Sequence, residues 1–481
     1  MTVSTASAHT ADRGTWLLIV CCLSQFIHTV YGSIVNIALP AISHDLGAGI
    51  DSLQWLVSAY VLSLAALLIL SGALADRFGR KRILIIGNVV MVIGAVVCAL
   101  SPDVAMLIAG RVVQGIGSAL IAPAGLALLT AAFPAMSKRA IAVMWWTTFG
   151  TVSLAAGPIL GGLLVNSAGW QSVFWAGVPL GAVAIVLAAV LLTESKSATA
   201  SRFDPVGQVL LTLALATLAF VLIEGVHLGW GSPAIIAGSL VVVVSFAALI
   251  AYEQKHPHPL VPVSLFRNRP FTTALSTAVL GYLALAGLLF LNTFSLQSAR
   301  GLDPMSAGLL TLPLAVGATI AAQLSGSLVA KGRSREILLL SGALIAAASL
   351  ALWATEHAAL WWVIAPYFAF GLGVGFISDP ISVTALSTLP TSKAGLASSL
   401  ISTANQVGQM LGIAAAGTLL ALAAGTSETT AFDAMGGWVW GMLAACGAGV
   451  LLLNLRKPRS SKLVDASGPT IAPGPALDPG V

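Results

Sequence analysis

Long apolar runs, each about as long as a bilayer is thick, dominate the chain and alternate with short polar breaks. A helix needs roughly 20 apolar residues to cross hydrocarbon, and fourteen runs approach or exceed that length: Trp16–Leu39, Leu53–Leu74, Ile83–Leu100, Val104–Ala132, Ala140–Val165, Val173–Leu192, Val206–Ile223, Ala234–Ala251, Phe271–Leu296, Ala307–Ala330, Ile337–Ala354, Leu360–Leu389, Ala394–Ala424 and Met435–Leu453. The pattern predicts an all-α membrane protein with fourteen spans. Asp204-Pro205 reads as an N-cap followed by proline in the first helical position, so the seventh helix is expected to start there.

Composition agrees with the pattern. The chain is 58% hydrophobic and 8% charged over 481 residues, with a mean hydropathy of +0.97. A water-soluble surface of that size needs far more charge, which excludes a soluble enzyme. With both termini cytoplasmic, twenty of the 22 Lys and Arg residues fall in inner segments; Arg300 lies in an outer loop and Arg111 within a run. This asymmetry is the orientation signal of a plasma-membrane protein. The net charge of +5 then reflects topology, and no nucleic-acid patch is expected. All four cysteines sit inside runs without disulfide or metal spacing. The first run lacks a small-residue cleavage site and reads as retained.

Residues Gly72 to Arg82 read GALADRFGRKR, and a fainter copy, GSLVAKGRSR, begins at Gly326 with Ala330 in the place of Asp76. Both strings close an apolar run and open a basic loop, as a duplicated bundle leaves behind. The expected organisation is a cytoplasmic tail (1–13), a six-helix bundle (14–193), a linker with two extra transmembrane helices (194–269), a second six-helix bundle (270–455) and a disordered tail (456–481).

Four motifs in order carry a resemblance. They are Gly72-Ala73-Leu74-Ala75-Asp76-Arg77-Phe78-Gly79-Arg80-Lys81, Arg111 within Leu107 to Gly117, Gly157-Pro158-Ile159-Leu160-Gly161-Gly162, and Ile34 to Pro40 around Asn36. Together they resemble the major facilitator superfamily, and within it the 14-spanning drug:proton antiporters. The resemblance implies a major facilitator fold and efflux of lipophilic drugs or antibiotics through alternating access. It implies no cofactor beyond the proton gradient; the small lipophilic substrate, protons and the bilayer are the partners, and the working unit is a monomer. The chain departs from the family where Tyr31 stands for an Asp, Gly177 for an Asn, and Trp170-Gln171-Ser172 for W-R-W.

The chemistry falls into four groups. Asp76, Arg77, Arg80 and Lys81, with Gly72 and Gly79, form a charged loop that suits a conformational latch, since ion pairs at a wet boundary switch cheaply; they also serve orientation alone. Arg111 needs a partner in the membrane; the resemblance implies proton coupling, and a structural hub with Gln114 is the alternative. Asp379 is the carboxylate well inside a run, before Pro380, and reads as a proton carrier or as a solvated group near the helix end. His28 shares a helical stripe with Gln25, Gly32 and Asn36 and titrates in a useful range, or is a satisfied hydrogen-bonding group. Gly157, Pro158, Gly161 and Gly162 read as an exporter hinge or as tight packing. Gln25, Asn36, Gln114, Trp145, Trp146, Asn292, Gln323, Asn405 and Gln409 are candidates for an apolar substrate cavity with sparse polar points. Glu224, at the end of the seventh run, reads as a loop acid. Two other readings remain open: a carrier of a native metabolite, and a membrane sensor that transports nothing. The chain carries no nucleotide-binding or nucleophile motif of an enzyme and no metal-ligand pattern.

Overall fold

The structure, a computed structural model, describes residues 4–196, 204–257, 259–387, 394–423 and 428–455. Among them there are helices and connections and no strand. The helices are α1 (Ser4–Leu46), α2 (Ile50–Phe78), α3 (Arg80–Ala99), α4 (Val104–Ala132), α5 (Met136–Ala168), α6 (Gln171–Trp175), α7 (Gly177–Leu191), α8 (Pro205–His227), α9 (Pro233–Glu253), α10 (Arg269–Thr293), α11 (Pro304–Leu310), α12 (Leu312–Ala330), α13 (Ser334–Ala354), α14 (Ile364–Gly375), α15 (Ser378–Ser387), α16 (Ala394–Ala423) and α17 (Glu428–Leu455). The segment expected to form a disordered tail, 456–481, lies outside the described residues. Helix α1 begins inside the expected 1–13 tail, because no proline or glycine interrupts the chain before Gly14.

Local chemistry sets several starts. Asp204 accepts from the Gly207 N–H at 2.9 Å with Pro205 in the first turn of α8, as the sequence suggests. Ser232-Pro233 does the same for α9 and Asp303-Pro304 for α11. These caps satisfy backbone donors at a helix end that would otherwise be stranded near the membrane.

Twelve helices among the described residues are long and apolar enough to cross a membrane, and a thirteenth arises if the two arms of α5, bent by 41°, count as one span. The remaining apolar run forms α16, thirty residues long. Its first half carries Ser398, Ser399, Ser402, Thr403, Asn405, Gln406 and Gln409, which dilute its hydropathy. The count of fourteen spans stays an expectation.

The pairing of helices repeats along the chain. Helix α1 packs on α5, α2 on α4 and α3 on α7; later α10 packs on α16, α12 on α14 and α13 on α17. The two sets meet where α2 lies along α16 and where α5 lies along α11 and α12. Helices α8 and α9 pair with each other, and α8 also touches both α2 and α16.

Candidate functional site

The charged loop is an ordered network. Arg80 forms an ion pair with Asp76 at 2.9 Å, one turn earlier in sequence, and also donates to the Ala127 carbonyl of α4 at 3.3 Å. Lys81 Nζ reaches the Ala189 carbonyl of α7 at 2.7 Å, and the Arg77 guanidinium lies 5.5 Å from the Phe78 ring centre. Gly72 faces Pro123 of α4. Gly79 has φ +114°, and a Cβ there would sit 2.5–2.6 Å from the Glu194 carboxyl atoms. That carboxylate accepts from the Lys81 and Arg82 backbone N–H groups at 3.0 and 3.2 Å and lies 3.8 Å from Arg82 Nε. Glu194 thus covers the start of α3 in place of a capping side chain, which Gly79 cannot supply. Sequence reading missed Glu194; the signal was an acid directly after the sixth run, opposite a helix start lacking a cap. Among the described residues, the partners of this network all belong to the first set of helices.

Arg111 is fully buried. Its Nε donates to the Leu56 carbonyl of α2 at 3.1 Å, and Nη1 donates to the Tyr31 carbonyl of α1 at 3.1 Å and to Gln114 Oε1 at 2.9 Å. The guanidinium stacks 4.4 Å from the Tyr60 ring centre. Nη2 of Arg111 and Nε2 of Gln114 have no hydrogen-bond partner, and no ion pair reaches Arg111 among the described residues. The guanidinium therefore ties three helices together through carbonyl dipoles, a geometry its planar fork suits. Gln114, expected at a substrate cavity, instead turns inward to this arginine and is wholly buried. The Tyr60 hydroxyl joins the His28 carbonyl to Ser118 Oγ, so His28 meets this cluster through its backbone, while its buried Nδ1 has no partner.

Tyr31 turns its hydroxyl to the Phe174 carbonyl at 2.7 Å. A Cβ on Gly177 would lie 2.0 Å from that oxygen. The two departures from the family pattern are thus in contact: the large phenol fits because its neighbour has no side chain.

Asp379 stands in the first turn of α15, where the chain breaks between α14 and α15, and it is half-buried. Its Oδ2 lies 3.6 Å from the position of a Cβ on Gly326, the glycine that opens the fainter copy of the charged loop. The carboxylate has no ion-pair partner among the described residues. Asp379 and Arg111 belong to different sets of helices, and the structure does not bring them together.

The glycine-proline motif of α5 serves two neighbours. Cβ atoms on Gly157 and Gly161 would run into Ser33 and Ile37 of α1 at 2.0 and 2.5 Å; one on Gly162 would meet the Pro304 carbonyl of α11 at 2.4 Å. The Pro158 carbonyl closes on Gly308 of α11. The bend of α5 falls between Ser153 and Ala156, within a turn of Pro158, which supplies no N–H to the carbonyl four residues earlier. Packing and bending coexist here.

An apolar cleft lies beside this seam, lined by Thr151 and Pro158 of α5, Leu285 and Leu289 of α10, Thr311, Leu314, Ala315 and Ala318 around α12, and Val374 of α14. None of the polar residues expected to line a cavity is among these. Trp145 is 46% exposed and Gln323 is exposed. Gln25 donates to Thr29 and Asn36 to the Ser33 carbonyl on their own helix. Trp146 packs near Gly125 of α4, Asn292 accepts from the Tyr367 hydroxyl, Gln409 donates to Gln406 at 2.7 Å, and Asn405 keeps a buried, unpartnered Oδ1. Most of these polar groups satisfy local partners, which a membrane interior demands first.

The description "Major Facilitator Superfamily" belongs to the family model that matches residues 21–413. Among similar proteins, the Multidrug resistance protein Stp of Mycobacterium tuberculosis is 34% identical over 84% of this chain and 75% of its own. The Methylenomycin A resistance protein of Bacillus subtilis is 33% identical over 86% and 89%. The Tetracenomycin C resistance and export protein of Streptomyces glaucescens is 35% identical over 81% and 72%. With its repeated helix pairing, its charged loop and these matches, the chain is a multi-pass membrane protein and belongs to the major facilitator superfamily.

Proposed function

We propose that this chain exports lipophilic drugs or antibiotics across the plasma membrane in exchange for protons, by alternating access. The observation that carries this is the asymmetry of the contacts between the two sets of helices. Among the described residues, the hydrogen bonds and glycine contacts between them run from the end away from the Asp76 loop to about mid-depth: Gly162 on Pro304, Pro158 on Gly308, Gln297 on the Ile37 carbonyl at 2.9 Å, and Gln54 on Ala414. Among the described residues, the charged loop at the other end binds its own half alone. A carrier that loads on the loop side has this form, with its exit closed and its latch undone.

The basic residues put the loop side in the cytoplasm. The relatives' names speak of drug and antibiotic resistance and export. Asp379, half-buried and free of an ion-pair partner among the described residues, is the group that takes the proton. Arg111 maintains the first bundle in register.

Drug-susceptibility profiling of an efflux-deficient bacterial host with and without this chain tests the reading. Resistance to lipophilic compounds that a protonophore abolishes is the expected result. Unchanged susceptibility across the panel, at verified membrane expression, sinks it.

A further inference from the structure

The extra helix pair has no assigned task, yet α8 touches both sets of helices at the seam. Two consecutive residues of α2, about 6 Å inside its start at 1.5 Å per residue, reach different neighbours. Gln54 is fully buried, and its Nε2 donates to the Ala414 carbonyl of α16 at 2.8 Å. Trp55 Nε1 donates to Glu224 Oε1 of α8 at 2.7 Å. A third bond closes the triangle: Thr418 Oγ1 of α16 donates to the Leu222 carbonyl of α8 at 2.8 Å. A Cβ on Gly417 would lie 2.2–2.4 Å from the Gln54 amide, so α2 and α16 approach as closely as glycine permits.

We infer that α8 is a strap across the exit gate, tying α2 to α16 through Glu224 and Leu222. The inference rests on the alternating-access reading proposed above. The first and second halves are joined here twice, directly by Gln54 and indirectly by the strap. The direct link yields when Gln54 leaves the α16 backbone. At the exit end the strap yields when either Trp55–Glu224 or Thr418–Leu222 parts, because the two bonds stand in series; the other bond of α8 to α2, from Gln208 Nε2 to the Ala66 carbonyl at 2.5 Å, lies near the opposite end of α8 and anchors the strap there. Glu224 therefore acts as a positioning residue for the gate, half-buried and bonded to an indole. The inserted pair thereby joins the moving parts of the carrier.

Series connection makes a prediction that general destabilisation does not. Breaking one of the two bonds releases the strap, and breaking the second adds little; independent contacts would add. The probe is a cysteine at Ala414, a fully buried position, in a chain whose four native cysteines, all buried, are replaced. A membrane-impermeant maleimide is applied from the face away from the charged loop.

Two bonds in series hold only as firmly as the weaker, the neutral Thr418–Leu222 bond, whose loss shifts an equilibrium by ~5-fold, so Thr418→Val and Trp55→Phe should each raise the labelling rate by ~5-fold. The double variant should match the singles, and Thr418→Ser, which keeps the hydroxyl, should label like the parent. Monodisperse gel filtration of each variant confirms folding.

If the parent exposes the cysteine under a proton gradient with drug, but the single variants label at the parent rate or their effects multiply, the strap is refuted and alternating access stands. If no condition and no variant ever exposes the cysteine, alternating access fails and takes the strap with it.

Discussion

Replacing Arg111 with methionine keeps most of the volume and removes the charge and the fork. Three charge-assisted bonds are lost, at 3.1, 3.1 and 2.9 Å, each about 1.5–3 kcal/mol. The stack on Tyr60 at 4.4 Å adds about 2 kcal/mol when desolvated. Against this, methionine relieves the cost of holding an arginine in the bilayer, about 2.5–3.5 kcal/mol on insertion scales. The balance is a loss of roughly 3–8 kcal/mol. Unfolding entropies of about 2.1 cal/mol/K per residue turn that, for 481 residues, into a fall of about 3–8 °C in the unfolding midpoint. Arg111→Lys should fall similarly, since one ammonium cannot span carbonyls on two helices and Gln114 together. The assay is thermal unfolding of purified protein in nanodiscs, followed by tryptophan fluorescence, beside drug transport measured well below the midpoint. An unchanged midpoint in Arg111→Met would refute the hub. Transport lost at full stability would instead make Arg111 a participant in coupling.

Asp379→Asn should leave the protein folded and remove the dependence of drug efflux on the proton gradient; efflux in proteoliposomes that still follows an imposed gradient would remove Asp379 from the mechanism. Glu194→Ala should cost about 1 kcal/mol, as loss of a helix cap does, while Gly79→Ala should cost more, because its backbone sits at φ +114° against a carboxylate; thermal midpoints of the two variants test the order. Gly162→Leu drives a side chain into Pro304 and Met305 of the other half, so it should weaken closure at the exit and lower transport at normal expression. Normal transport in that variant would show that the close approach is dispensable.

Much of the architecture is legible in the sequence because the bilayer imposes length and hydropathy on each helix separately. The Asp204-Pro205 start and the charged loop are local patterns; the start appears in the structure as read, and the loop appears as an ordered network within the first set of helices. What eluded the sequence is pairing at long range. Glu194 lies more than a hundred residues from the backbone it covers, and Glu224, which reads as a loop acid, is a helical partner of Trp55. Gln114 shows the converse failure: a polar residue on a membrane helix suggests a cavity, yet the nearest unsatisfied charge claims it. The cavity residues were chosen for polarity, whereas the cleft is lined almost wholly by apolar side chains that no pattern separates from lipid-facing ones.

The four ion pairs among the described residues are Asp76–Arg80, Glu194–Arg82, Asp204–His256 and Glu336–Arg333, and all sit at the charged-loop end. The seam at the far end is joined by amides, a hydroxyl, glycine contacts and the bond of the Trp55 indole to the half-buried Glu224 carboxylate. Mobile ions screen exposed charges within about 10 Å at 0.1 M salt and leave buried neutral dipoles nearly untouched. Brine or fresh water bathing the far face should therefore act on that door chiefly through the Glu224 carboxylate, while ionic strength on the loop face tunes the other.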